Sequence, residues 1–454
     1  MSEIKNMNEI DIIKDRVKQK KQKRFLLIAN GLIVGILVLW LTVGNLLATN
    51  LEQPMIKAQE EFLQRYPKKE ANDSAIRLIE FTRKLEFYKS GVEYEKNIGY
   101  AFGEYINQLK TSNSKINPIP EDIKSYLTSK STIIEEIITI LKNTPPSFEN
   151  IDLSVAFTDP INYTNTALPG FLDWSTIKRL LLVKAIQHYQ TGQIQKVLDI
   201  LIASRNINLA LQEQGSLIGQ LVDLILFTDQ LAFLRKTSLP IEVLQSTKPN
   251  YPKLIFPAIE FENLFMGKFL QIASSEFSQK VDSFTIEKRS PLLYEKVLLP
   301  FQRPYLKLSG IDYWHKNMKM LERIKNLDNI CLFDRDTISK ETKATLAWWN
   351  VIGRSQEIYL TQMFKPYRRL LEWEFTQKIL ISKNNTAKKT VFPLNSQITE
   401  YSTICKTVQY DYRVTDNGQK MTIEMQNLPK WAEYEEGDLP VTFGFTINSN
   451  KTPV

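Results

Sequence analysis

Residues 25–48 read FLLIANGLIVGILVLWLTVGNLLA, 24 consecutive residues without a charge. As a helix rising 1.5 Å per residue they span about 36 Å, enough to cross about 30 Å of hydrocarbon with some tilt. Gly31, Gly35 and Gly44 are compatible with that, since glycine is frequent in membrane helices. A cleaved signal peptide has a shorter apolar stretch and a small-residue cleavage site, and Leu47-Ala48-Thr49-Asn50 offers no good match. The stretch therefore predicts one uncleaved transmembrane helix. Residues 1–24 carry eight Lys/Arg against four acids, whereas in residues 49–70 Lys57, Arg65, Lys68 and Lys69 are balanced by Glu52, Glu60, Glu61 and Glu70. The positive-inside rule then keeps the tail in the cytoplasm. This predicts a single-pass protein of the cytoplasmic (inner) membrane with the bulk of the chain extracytoplasmic. Gly31 and Gly35 form a G-x-x-x-G, a candidate helix–helix contact in the membrane and a route to a homodimer.

Beyond the stretch the chain reads as globular: 43% of its 454 residues are apolar and 24% charged. The formal charge of +8 divides evenly. The tail holds +4, and the other 430 residues hold 50 basic against 46 acidic side chains. So dilute a charge excludes a nucleic-acid partner, which needs basic residues clustered on one face. Two cysteines, Cys331 and Cys405, and two histidines, His188 and His315, are scattered. They give no zinc spacing, and no metal or cofactor is expected. Cys331 and Cys405 are a candidate disulfide in an oxidising compartment; two unpaired buried thiols are the alternative.

The period of the apolar residues then sets the fold class: mainly α, with one transmembrane helix, a large irregular helical body and a small antiparallel β element at the C-terminus. The boundaries are 1–24 for the basic tail, 25–48 for the membrane helix, 49–390 for the helical body and 391–454 for the β-rich end. Ile76, Ile79, Phe81, Leu85 and Tyr88 fall at helical spacing after the candidate caps Asp73 and Ser74. Residues 144–172 form a long Pro-rich loop in which Ile151, Leu153, Val155 and Phe157 alternate, predicting a short strand. Asp173 is placed to cap a helix with Trp174, Ile177, Leu181, Ala185 and His188 on one face, broken at Thr191-Gly192. After a second break at Gly215, the helix from Leu217 to Leu231 is apolar over a wide arc and should be buried. Interruptions follow at Pro291, Pro300 and Pro304. A long helical run spans Thr337 to Ser382, with Pro366 as a kink. Val408, Tyr410, Tyr412 and Val414 alternate, Asp416-Asn417-Gly418 turns, and Met421, Ile423 and Met425 alternate again, which predicts a hairpin. Val441 to Ile447 offers a third strand, and Ile151 to Phe157 a fourth.

Tyr189-x-x-Gly192-x-x-x-x-Val197 resembles the inter-helix turn of a tetratricopeptide repeat, although no second copy follows at that period. With Ser216-Leu-Ile-Gly-Gln-Leu-Val222 and Asn350-Val-Ile-Gly-Arg354 leading through Pro366 to Arg368-Arg369-Leu-Leu, the chain resembles a loose group of uncharacterised bacterial envelope proteins. The resemblance implies an envelope location and a helical, tetratricopeptide-like extracytoplasmic body, and brings no catalytic residues.

The residues themselves argue against catalysis. His188 lies on an apolar helix face and reads as a core histidine; His315, after Tyr313-Trp314, reads as aromatic packing. Nothing beside Cys331 would activate a thiol. Glu135-Glu136, Glu372 and Glu374 read as solvated helix faces. Trp348-Trp349, Tyr359, Phe364, Tyr367, Trp373 and Phe375 read as core. No catalytic residue is assigned. The expected function is a membrane-tethered protein-binding or assembly scaffold with a protein partner in the envelope; the alternative is an envelope glycan or peptide hydrolase using paired carboxylates.

Overall fold

Helix α1 runs unbroken from Ser2 to Arg65, so the tail, the apolar stretch and the start of the body are one rod. The computed structural model describes residues 2–110, 115–149, 152–165, 171–213, 217–245, 251–272, 293–327, 330–356, 359–387, 397–415, 419–433 and 439–447. Through the apolar stretch large side chains such as Phe25, Leu32, Leu39 and Leu46 face outward. From Ala48 onward one face is buried instead: Ala48, Glu52, Met55, Gln59 and Phe62 recur every three or four residues.

The body follows as α2 (Asp73–Leu85), α3 (Ile98–Asn107), α4 (Glu121–Ser129), α5 (Ser131–Asn143), α6 (Leu153–Thr158), α7 (Pro160–Asn165), α8 (Phe171–Gln190), α9 (Ile194–Gln212), α10 (Leu217–Lys236), α11 (Ile241–Gln245), α12 (Tyr251–Ile272), α13 (Leu293–Lys325), α14 (Arg335–Thr345), α15 (Val351–Ser355) and α16 (Phe364–Ala387). A four-stranded antiparallel meander closes the chain: β1 (Gln397–Tyr401), β2 (Gln409–Thr415), β3 (Lys420–Gln426) and β4 (Thr442–Thr446), with α17 (Lys430–Glu433) before the last strand. One apolar cluster joins α2–α5 with α8–α10; a second joins α12–α16 with the sheet; a third packs Met55 and Phe62 of α1 on Phe157, Phe261, Phe265 and Trp314.

Local chemistry explains several boundaries. At the α8–α9 turn Gly192 adopts φ +75°, the left-handed conformation a helix C-terminus favours, and the Gln193 N–H returns to His188 O at 2.9 Å. At the α12–α13 crossing a Cβ on Gly310 would lie 2.1 Å from Gly267 O, so only glycine admits that approach. Helix α10, apolar enough to cross a membrane, is instead a buried core helix, as its wide apolar arc predicts.

The structure corrects five expectations. Leu153–Phe157 is not a strand: Asp152 caps α6 through the Ser154 N–H at 2.9 Å, and Leu153, Ala156 and Phe157 are buried at helical spacing. A period of two and a period near 3.6 coincide over so few residues. The α2 core face is Ala75, Leu78, Phe81, Thr82 and Leu85, leaving Ile76 and Ile79 exposed. The cap is Asn72, not Asp73 or Ser74; Asn72 and Ser74 also bond Pro145 O and Thr144 O, which turns that face toward α5. The run from Thr337 to Ser382 is three helices. Asn350 turns inward to Ser309 O and Asp312, and its side chain caps α15 at Gly353 N. Short polar side chains break helices by this competition. Pro366 does not kink a helix; it lies in the first turn of α16, where its missing N–H has no intrahelical partner to lose.

The predicted hairpin is present. Tyr410 pairs with Met425, Tyr412 with Ile423 and Val414 with Met421, and these side chains are buried together. The third strand is present as β4, with Phe443 and Phe445 inward; β1, beside β2, was not foreseen. The Asp416-Asn417-Gly418 turn and the breaks at Gly215 and Pro291 lie outside the described residues.

A disulfide joins Cys331 to Cys405, with Cα atoms 5.6 Å apart across a sequence separation of 74. Closing so long a loop removes unfolded-state entropy worth about 4 kcal/mol. Replacing both cysteines by serine should lower the melting temperature by several degrees, and reducing the parent protein should reproduce that value. Identical melting of oxidised and reduced protein would remove the covalent tie from the stability of the fold.

Candidate functional site

Three places in the body carry chemistry beyond core packing. The first is the junction of α1 with α12 and α13. Trp40 Nε1 donates to Phe301 O at 2.9 Å, and Gly44 abuts Pro304. Glu52 accepts from Lys268 at 3.0 Å and Lys307 at 3.4 Å, and Arg65 binds Glu260 at 2.5 Å. These contacts fix the apolar helix to the body along about 25 residues, with no flexible linker, a length of about 38 Å. The lysines hold the Glu52 carboxylate below its usual range, against a burial that acts in the other direction.

The second place is inside. Glu372 and Glu374 of α16 do not lie on a solvated face; they are 0% and 2% exposed. Glu372 binds Arg235 at 2.8 Å and Arg369 at 3.0 Å, while Arg235 also donates to Thr376 at 3.2 Å. Glu374 accepts from Tyr410 at 2.8 Å, from the Thr403 N–H at 2.8 Å, from the Thr403 hydroxyl at 2.7 Å, and from Ser402. Each carboxylate is therefore engaged in joining α16 to α10 or to the sheet, so Glu372 and Glu374 are not a free pair for acid–base work. Lys383, further along α16, donates to Arg235 O and Thr237 O and lies over the Phe443 and Phe445 rings.

The third place is a surface pocket of ≈ 460 Å³ lined by Thr82, Arg83, Glu86, Phe87, Tyr88, Lys89, Ser90 and Asp173. It is within the size range of small-molecule sites. Glu86 takes the left-handed conformation at φ 52°, and burial raises the Asp173 carboxyl. Asp173 lies in the first turn of α8, which begins at Phe171.

The other singled-out residues are placed as follows. His188 is buried on α8, with Nδ1 3.1 Å from Gln193 Oε1 and Nε2 without a protein partner; burial lowers its pKa, the change that favours a neutral ring. His315 is exposed, its ring 6.2 Å from that of Trp314. Phe364, Trp373 and Phe375 are core, but Trp348 is not: it is 82% exposed. Gly31 and Gly35 face open space. Among the described residues no group of three or more His, Cys, Asp or Glu is gathered to hold a metal.

Sequence reasoning missed an exposed aliphatic stripe. Ile202 and Leu209 on α9, and Ile218 and Ile225 on the adjoining α10, each pair seven residues apart, face solvent. The apolar arc from Leu217 to Leu231 predicts burial for the helix that carries Ile218 and Ile225, and no surface role follows from the sequence for Ile202 or Leu209.

Two half-buried groups make stability depend on pH. Burial raises Glu262 on α12 from 4.5 to about 7 and lowers Lys383 from 10.5 to about 7. The folded state holds the Glu262 proton that the unfolded chain releases, so stability falls as pH rises from about 4.5 to about 7. Lys383 acts oppositely above that window, where the unfolded chain binds the extra proton and stability rises with pH. Glu262→Gln should therefore melt above the parent at about pH 8 and match it near about pH 4; equal melting at both would show that Glu262 is not buried as a carboxylate.

The geometry defines a mainly helical body with a C-terminal sheet, held on a long apolar helix. No family model, curated protein or solved structure matches the chain.

Proposed function

We propose that the chain is a single-pass protein of the cytoplasmic membrane, its N-terminus in the cytoplasm, and that its body is an extracytoplasmic scaffold which binds another protein or helps assemble a complex. The observation that carries this reading is the stripe of Ile202, Leu209, Ile218 and Ile225 on two packed helices, because aliphatic side chains at helical spacing in water are the features a helical partner surface covers. The junction at Glu52 supports it, since it holds the stripe-bearing body in a fixed relation to α1. The Cys331–Cys405 disulfide supports an oxidising compartment. The charge asymmetry across residues 25–48 supports the topology, and the tetratricopeptide-like turn at Gly192 and the likeness to envelope proteins agree with it. Gly31 and Gly35 remain available for pairing two copies within the membrane.

Photocrosslinking residues at positions 209 and 225 of the full chain in intact membranes test this reading. Discrete adducts from both positions, lost when Ile218→Lys is added, are expected. The same products from an exposed position on another face, such as Lys57, would remove the stripe as a binding surface.

A second reading, a hydrolase with paired carboxylates, has one observation in its favour: Glu86 and Asp173 line the ≈ 460 Å³ pocket. It requires that Asp173→Asn abolish cleavage of envelope glycan or peptide without altering the melting temperature.

A further inference from the structure

The loop between α14 and α15 presents an exposed tryptophan on the side of the body nearest the apolar helix. Trp348 is 82% exposed and Val351 66%. A well-built frame holds them there. Asn350, fully buried, donates to Ser309 O at 3.0 Å and to Asp312 at 2.9 Å, and the Ala347 N–H reaches Asp312 at 3.0 Å. Trp349 O accepts from Tyr305 at 3.1 Å, and the two rings lie edge to face. A Cβ on Gly353 would lie 2.6 Å from the Asn350 amide, so glycine is needed for the loop to close on that frame.

Contacts along α1 set the level of this loop. Phe301 lies beside Trp40, Pro304 beside Gly44 and Lys307 beside Glu52, so α13 ascends in the same direction as α1. Tyr305, which carries Trp349, is thus level with the segment between Gly44 and Glu52. If hydrocarbon begins at Phe25, about 20 residues of helix cross it and end near Gly44. Tyr305 and the loop pinned to it therefore face the layer just outside the hydrocarbon. Trp is the residue enriched in that layer, because its ring prefers the apolar side and its N–H the wet side. Arg303, exposed one residue before Pro304, puts a cation at the same level.

We propose that the loop of residues 346–351 is a second membrane contact, with Trp348 and Val351 seated in the phospholipid interface of the bilayer that α1 crosses. The inference rests on the reading of α1 as a membrane span. With two points of attachment the body cannot swivel about α1, and the stripe on α9 and α10 keeps one direction relative to the membrane.

The full chain in vesicles of phosphatidylcholine and phosphatidylglycerol, with and without acyl chains brominated near the headgroup, tests this. Tryptophan emission is compared for the parent, Trp348→Phe and Trp40→Phe. The expected result is that each substitution removes part of the bromolipid-quenchable emission. If Trp40→Phe removes quenchable emission and Trp348→Phe leaves the quenchable fraction unchanged, α1 is inserted but the loop is not at the interface, and the proposal is overturned. If neither substitution matters, the membrane reading of α1 fails with it. Protection of Trp348 by a second copy of the chain would likewise leave its emission unquenched and overturn the proposal.

Discussion

A chain ending at residue 396 is expected to lose its cooperative melt. The sheet is not an appendage. Tyr410, Tyr412, Val414, Met421, Ile423, Met425, Phe443 and Phe445 are buried in one cluster with Tyr313, Leu371, Phe375 and Ile379 of α13 and α16. Burial of each such side chain contributes about 1.5–3 kcal/mol, so losing even half of them rivals the 5–15 kcal/mol net stability typical of a domain. The deletion also takes every hydrogen-bond donor named for Glu374, leaving a buried carboxylate unpartnered, and it removes the disulfide. Scanning calorimetry of the body with and without residues 397–454 checks this. A truncated protein that melts cooperatively at the parent temperature would make the sheet an independent unit.

The other large effect is expected at Glu372. Glu372→Gln leaves Arg235 and Arg369 without the carboxylate both of them bind, in a region where Arg235 is 4% exposed. Removing one side of a buried ion pair costs about 3–5 kcal/mol, because the remaining charge stays desolvated. The double variant Arg235→Met with Glu372→Met should recover part of the loss, since an apolar pair of similar volume removes the Arg235 charge and leaves only Arg369 without the carboxylate. Urea unfolding of the three proteins measures the coupling. If the single and double variants are equally destabilised, the pair contributes only packing.

Local pattern revealed most of the elements. The 24 uncharged residues, the face of Trp174, Ile177, Leu181, Ala185 and His188, and the alternation from Val408 to Met425 each state their structure, because burial on one face imposes a period. Where the window was short or polar, the pattern was ambiguous. Leu153 to Phe157 fits either period over five residues, and only the Asp152 cap and its burial make it a helix. Asn350 looks like any polar residue in a helical run until Asp312 and Ser309 are beside it.

The amino-acid sequence alone determined the apolar rod, the helical class of the body and the C-terminal sheet, since these depend on charge and periodicity within a few tens of residues. Tertiary structure alone decided where the charges go. Glu372 and Glu374 are spaced like solvated helix residues and become buried because Arg235, 137 residues away, and Tyr410, on the sheet, arrive to satisfy them. Ile202, Leu209, Ile218 and Ile225 are as apolar as their buried neighbours and remain exposed because, among the described residues, no element covers them. Burial is a property of which surfaces meet, and a one-dimensional pattern records the chemistry of each surface without its partner.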